Sequence, residues 1–439
     1  MIFLSLAIKK KKYEDVLALP SPKHKKPARG ARFLRYISGV FIEHSLKVNK
    51  NFTYTLKPGL DKINPDEAAI YLMNHSSGID LEILSRLLKE RVYYLVGSHD
   101  GFVGRYFFLH DIYAGIPTKK NMLDLHLIND INYVAKKYKK PILIFPEASW
   151  CLCGVNAILP ESLGGMLKYF KLPVYNIKTY GAYQRCPNYS NAFNRRKNNI
   201  RNVNVTAEAE RLFSVEDLAR LNPNEINDKL KEAYTYDHFR WQYENHIKVD
   251  EDFRARGLHH ALYKCPHCNA EGQMESTGTT VRCKNCEKEY ELTEYGQLKA
   301  LGFEGRFEFP SDWYYWEEQC VKDDIQNNSY ISKSKARIYV VKDYKAFYDI
   351  GEGYISQDRD GIKISYLDGN LMYEHFHKNS YSLYVDFYFF GDDGEFISVG
   401  NTDIQYYCFT NYEDFPSLKA RFAAEEAYRQ IKIERSKKC

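Results

Sequence analysis

No stretch of the 439 residues approaches twenty consecutive apolar side chains, the length a helix needs to cross a bilayer, so the chain is not integral by its own sequence. Met1–Ile8 is an apolar run, but it is short, and Lys9–Lys12 follow it instead of preceding it, opposite to a secretory signal. Charge of one sign is not in large excess: 62 Lys and Arg against 57 Asp and Glu leave a net +5, which excludes a generally basic nucleic-acid binder. The Gly-x-Ser-x-Gly elbow is missing, and with it the α/β-hydrolase type of serine enzyme. Of ten cysteines, six (Cys151, Cys153, Cys186, Cys320, Cys408 and Cys439) have no framework spacing. Free thiols fit a reducing, cytoplasmic setting better than a secreted disulfide fold.

What is present is length for several domains. Residues 1–50 hold twelve Lys and Arg against three Asp and Glu. Within them, 9–32 read as a mobile Lys/Pro-rich segment and 32–46 as a helix with Phe33, Ile37, Val40, Phe41 and His44 on one stripe. Such a helix suits an anionic membrane surface, and equally suits packing on a folded domain. From 51 to 214 short apolar runs alternate with helical patterns, which predicts an α/β domain with a mixed sheet flanked by helices. Residues 215–257 read as a helical connector, with Tyr236–His246 as a packing helix.

The chemistry concentrates in Ala68–Leu88. An apolar run of strand length ends at Asn74-His75, a polar turn follows, and a helical pattern begins near Asp80. Asp80 then sits in the first helical turn, where a carboxylate is favoured. The four intervening residues let that carboxylate meet one imidazole nitrogen of His75. An imidazole held in this way has a fixed tautomer and offers its other nitrogen as a general base. A second buried-strand pattern, Lys140–Phe145, ends in Phe145-Pro146-Glu147, and a third, Lys171–Lys178, follows a helical segment.

This ordered set resembles the glycerolipid acyltransferases, the family that includes 1-acylglycerol-3-phosphate acyltransferase, over roughly residues 50–215. The resemblance implies transfer of a fatty acyl group from acyl-CoA or acyl carrier protein to the hydroxyl of a lysophospholipid. His75 would be the base and Asp80 its orienting partner. It further implies that Asn74, Phe145, Pro146 and Glu147 shape the acceptor site, with Lys119, Lys120 and Arg185 supplying positive charge. Two positions depart from the family pattern: Ala148 stands where the family has Gly, and Trp150 where it has an Arg. Loss of a guanidinium removes a bidentate contact to phosphate, and lysine replaces it only as a point charge.

Residues 258–297 carry Cys265-Pro-His-Cys268 and Cys283-Lys-Asn-Cys286. Two such thiolate knuckles predict a zinc ribbon, closed by four protein ligands and therefore structural, with His267 outside the ligand set. Residues 300–439 alternate apolar and polar side chains between turn signals and end in a helix, Ser417–Ile433. This predicts an antiparallel β domain with a closing helix, pleckstrin-homology-like in pattern, open to a protein or lipid partner. Mixed charge around the ribbon argues against nucleic acid as a partner. The expected protein is a cytoplasmic enzyme peripherally associated with the membrane surface. The alternative is a non-catalytic lipid- or protein-binding adaptor that retains the acyltransferase fold.

Overall fold

The computed structural model describes residues 7–31, 33–37, 40, 54–56, 64, 66–87, 93–122, 124–191, 199–388 and 394–437. A seven-stranded sheet runs in the spatial order Tyr54–Leu56, Val205–Phe213, Val174–Tyr180, Ile70–Met73, Ile142–Ile144, Tyr94–Ser98, Ile116–Thr118. All pairs are parallel except Val174–Tyr180 with Val205–Phe213, so the sheet is mixed as expected.

Ile70–Met73 lies at the centre of this sheet and is buried throughout. Successive side chains of a strand face opposite sides, so a strand covered on both faces must be apolar at every position. Ile70 and Leu72 join one core with Ile131, Leu167 and Leu230, whereas Tyr71 and Met73 join another with Ile83, Leu84 and Ile177. Helices therefore cover both faces. The carboxyl ends of Ile70–Met73 and Ile142–Ile144 lie side by side, where open α/β sheets bind their ligands.

Behind this domain, a four-stranded antiparallel sheet (Met274–Thr277, Thr280–Cys283, Glu289–Leu292, Leu298–Ala300) carries the cysteine pairs. The C-terminal sheet runs in the order Leu371–Phe376, Gly361–Tyr366, Phe347–Gln357, Ser332–Val341, Gln405–Thr410, Phe396–Gly400, Tyr384–Asp386, every neighbouring pair antiparallel. The helix Ser417–Ser436 closes it.

Three expectations need correction. The segment 9–32 is not a loose tether: Ile8–Lys10 pairs in parallel with Phe347–Asp349, and Tyr13 of the helix Tyr13–Leu17 meets the Tyr406 hydroxyl at 2.5 Å. Further on, His24 stacks on His126 and reaches Asp130 at 3.0 Å, so the segment straps the C-terminal sheet to the α/β domain. Pro310–Gln326, expected within the β tail, is a helix that starts on a proline and buries Trp313, Val321 and Ile325. Finally, the apolar run Ile112–Ile116 reads in sequence as a short buried strand, but Phe107–Ile112 is helical and the strand begins at Ile116.

The expected domain boundaries do not separate independent cores. Cys151, Leu152, Cys153 and Val155, in the loop after Ile142–Ile144, belong to one hydrophobic cluster with Tyr290, Trp313, Ile338 and Ala424. Both the ribbon and the C-terminal domain are thus packed against the loop that borders His75.

Candidate active site

Asn74-His75 leaves the central strand, and a turn closed by Asp80 N–H to the Ser77 carbonyl (3.1 Å) carries the chain into the helix Asp80–Leu87. His75 Nδ1 lies 2.9 Å from Asp80 Oδ2, and the same oxygen accepts the Ser77 N–H at 3.1 Å. Burial pushes the Asp80 pKa well above the ordinary carboxylate value, against the pull of the Ser77 N–H. With Asp80 ionised beside a neutral imidazole, this contact assigns the proton to Nδ1 and the lone pair to Nε2. Among the described residues, Nε2 has no hydrogen-bond partner. Asp80 is 1% exposed. Burial and then the Lys120 ammonium push the His75 pKa well below 6.5, which keeps the imidazole neutral.

Two aromatic rings hold the imidazole. Phe145 and Trp150 lie with centroids 4.0 Å and 3.7 Å from that of His75, tilted by 23° and 28°. Rings this close and this nearly parallel cannot share a face, so His75 is sandwiched and only its edge is open. The loop itself is pinned to the strand exit: Cys151 N–H donates to the His75 carbonyl at 2.9 Å. Ala148 adopts φ +51°, a left-handed conformation that a side chain disfavours.

Glu147 lies beneath the pair, buried. It accepts the Ala157 N–H at 2.7 Å, the Tyr236 hydroxyl at 2.9 Å and, at 3.5 Å, the His75 N–H. Burial raises its pKa to about 7, against the pull of those donors. Its contacts bind the loop together, and Pro146 beside it is buried.

Asn74, expected on the substrate, is committed elsewhere. Its Nδ2 donates to Ser76 Oγ (2.6 Å) and the Thr179 carbonyl (3.2 Å), and its Oδ1 accepts the Thr179 N–H (2.9 Å) and hydroxyl (3.2 Å). Two donors and two lone pairs are all an amide has, so none remains for a ligand. Arg185 is likewise buried at 2% and donates to the Val203 carbonyl, with Cys186 and Glu251 facing its charge.

The two lysines diverge. Asp124 and Asp403 face Lys119, whereas Lys120 turns inward, its Nζ 3.4 Å from the Tyr384 ring centroid, with Asp100 and Asp386 holding its charge. Lys120 is the cation felt at His75.

Local spacing gave no sign of several residues that reach this place. His238 Nε2 meets Ser76 Oγ at 2.9 Å, Tyr236 meets Glu147, and Arg421 Nη1 donates to Ser149 Oγ at 3.1 Å. The first two come from the segment expected only to pack, and the third from the last helix.

The four cysteines Cys265, Cys268, Cys283 and Cys286 bring their sulfurs within 4.8 Å of one another. Cys265 to Cys286 is 3.6 Å and Cys268 to Cys283 is 3.7 Å, far beyond a disulfide bond. A tetrahedral ion with sulfur at about 2.3 Å requires edges of about 3.8 Å, so the set fits a metal. Each knuckle ends alike: Asn269 N–H returns to the Cys265 carbonyl and Glu287 N–H to that of Cys283, at φ +59° and +61°. His267 bonds Tyr290 at 2.9 Å and stays outside the set.

Residues 56–162 match the family model described as Acyltransferase, a stretch that contains both His75–Asp80 and Phe145–Glu147. This segment is an acyltransferase-family domain, as its motifs suggest. A solved structure, the 1-acyl-sn-glycerophosphate (LPA) acyltransferase PlsC from Thermotoga maritima, aligns at 12% identity over 46% of this chain and 78% of that one. Its TM-score of 0.33 is too low to carry an argument. No curated protein matches the chain. No helix among the described residues is long and apolar enough to cross a membrane.

Proposed function

We propose that the acyltransferase-family domain of this chain moves a fatty acyl group from a thioester donor, acyl-CoA or acyl carrier protein, to the hydroxyl of a lysophospholipid such as 1-acylglycerol-3-phosphate. The observation that carries this reading is the 2.9 Å contact of His75 Nδ1 with Asp80, which leaves Nε2 without a hydrogen-bond partner among the described residues. In the proposed step Nε2 takes the proton of the acceptor hydroxyl as its oxygen attacks the thioester carbonyl. The tetrahedral adduct collapses, the C–S bond breaks, and the imidazolium returns its proton to the leaving thiolate. Ester and thiol are the products. Asp80 steadies the transient imidazolium, a contribution of about 10²–10⁴-fold for base and partner together. Lys120, the cation beside the pair, is assigned to the acceptor's anionic group; Phe145, Pro146 and Glu147 shape the loop around it. Incubation of purified chain with acyl-CoA and 1-acylglycerol-3-phosphate tests the reading, which equal turnover by wild type and His75→Ala would sink.

The membrane surface is the proposed meeting place. Supporting it, Arg35 turns inward, donating to the Tyr93 carbonyl at 2.8 Å, while Phe33 (72% exposed) and Tyr36 (60%) face out from the same helix. Of the expected stripe, Phe33 and Val40 are exposed, which supports the membrane-surface alternative over packing; Phe41 and His44 lie outside the described residues. Exposed rings within a segment rich in Lys and Arg suit an anionic bilayer, and hence a cytoplasmic, peripheral enzyme. Zinc is the proposed occupant of the four-cysteine cluster, held by Cys265, Cys268, Cys283 and Cys286 and supplying cross-linking rather than chemistry. For the C-terminal domain, seven antiparallel strands closed by a helix support the pleckstrin-homology-like reading and a protein or lipid partner.

The adaptor alternative draws on one observation, the packing of Phe145 and Trp150 over both faces of His75. Lipid binding without any acyl transfer, unchanged in His75→Ala, is the result that favours it.

A further inference from the structure

We infer that Arg421, on the C-terminal helix, is a positioning residue for the acyl transfer proposed above: through Ser149 it sets the Trp150 ring against His75. The inference rests on that reading of the site. Arg421 Nη1 donates to Ser149 Oγ at 3.1 Å, across 272 positions of sequence, and the Ser149 hydroxyl donates in turn to the Trp150 carbonyl at 3.3 Å. The Trp150 ring then lies 3.7 Å from the imidazole. Arg421 and Ser149 are 2% and 6% exposed.

The guanidinium is itself held in place. Its Nε donates to Glu425 Oε1 at 2.8 Å, one helical turn on, and Ser382 Oγ donates to the same oxygen at 2.6 Å. The helix start is fixed as well, by Ser417 N–H on Glu395 at 2.6 Å. A buried ion pair is expensive to desolvate and is often replaceable by apolar side chains of similar volume at no loss of stability. The pair with Glu425 answers the charge of Arg421 within its own helix. One of its Nη1 N–H groups is directed at the loop that covers His75.

Every element around the imidazole matters to how it responds: Asp80 on its helix, Lys120 on its turn, and Phe145, Glu147 and Trp150 on the loop. If the Arg421–Ser149 link is cut, the Trp150 loop keeps the Cys151 tie to His75 but loses its hold on the C-terminal helix, and water gains access to the ring. The base then becomes harder to deprotonate, because relief of burial raises its pKa toward 6.5.

The test uses the full chain as Ser149→Ala, Arg421→Gln, Arg421→Lys and the Ser149→Ala/Arg421→Gln double variant. Acyl-CoA and 1-acylglycerol-3-phosphate serve as substrates, and melting temperature is followed in parallel. In Ser149→Ala and Arg421→Gln kcat should fall about tenfold with KM little changed, as for a misplaced catalytic group. The acid limb of kcat/KM should move upward, Arg421→Lys should recover part of the loss, and the double variant should be no worse than Arg421→Gln. A second readout needs no turnover: the rate at which diethyl pyrocarbonate modifies the His75 peptide, read by mass spectrometry, should rise severalfold when Trp150 is released. Unchanged kcat and an unchanged modification rate in folded variants would overturn the inference, and so would losses that add independently. Should Arg421→Gln fail to fold, Ser149→Ala cuts the same link from the loop side. A wild-type chain that transfers nothing overturns the functional reading alone, and the modification rates then decide whether Arg421 controls His75.

Discussion

The Tyr236 hydroxyl lies 2.9 Å from each carboxylate oxygen of Glu147 and so ties the helical connector to the loop that carries Trp150. Two positions on, His238 is bonded to Ser76, next to Asn74 and His75. The site is a joint between three regions of the chain, and its residues divide into those that act and those that hold.

His75 and Asn74 should separate along that line. His75→Ala is expected to lower kcat by about 10²–10⁴ while leaving the melting temperature near that of wild type. Asn74→Ala should do the reverse: four hydrogen bonds vanish from a buried bracket, at a cost of about 1–3 kcal/mol, with KM unchanged. Thiol release assays and thermal melts on the same preparations check both. A large rise in KM for Asn74→Ala would return that residue to the acceptor.

The pH profile follows from the depressed pKa of His75. A base acts when unprotonated, so a lowered pKa moves the acid limb of kcat/KM below 6.5 and leaves activity flat above it. Lys120→Met removes one of the two causes, and the limb should shift upward; burial, the larger cause, remains. An acid limb above pH 7 in wild type would contradict the assignment.

Ala148 is a candidate for stabilisation. At φ +51° a Cβ costs about 1–2 kcal/mol, and glycine returns part of that gain through its freer unfolded chain. Ala148→Gly should therefore raise stability by about 0.5–1 kcal/mol in denaturant titrations. A loss would mean that the alanine methyl makes contacts that outweigh the backbone strain.

Elemental analysis should find one zinc per chain. Cys283→Ser should release it and lower the melting temperature sharply, because Cys265 and Cys283 sit in the same core as Cys153 and Trp313. Structural zinc contributes about 10–16 kcal/mol in isolated ribbons and fingers, far more than a single side chain. Four thiols that react freely in the native, chelator-free protein would dispose of the metal.

How much of this was legible in the sequence depends on distance along the chain. His75 and Asp80 are five apart, and one turn decides whether they meet. The strand Ile70–Met73 announces itself because a strand covered on both faces has no polar position. Cys-x-x-Cys is equally local. Ser76 with His238, at a separation of 162, and Ser149 with Arg421, at 272, obey no period that a window of residues can reveal. Pro310–Gln326 is hidden for another reason: it lies inside a tail whose other runs alternate apolar and polar, although Pro310 and Asp312 mark a helix start.

The pairing of Ile8–Lys10 with Phe347–Asp349 makes a clasp that can close only late in synthesis. Tyr13 leaves the ribosome 393 positions ahead of its partner Tyr406, and such a distant closure waits until everything between has condensed. A carrier protein joined just upstream of Ala7 would consequently lodge against the β domain instead of trailing from a free end.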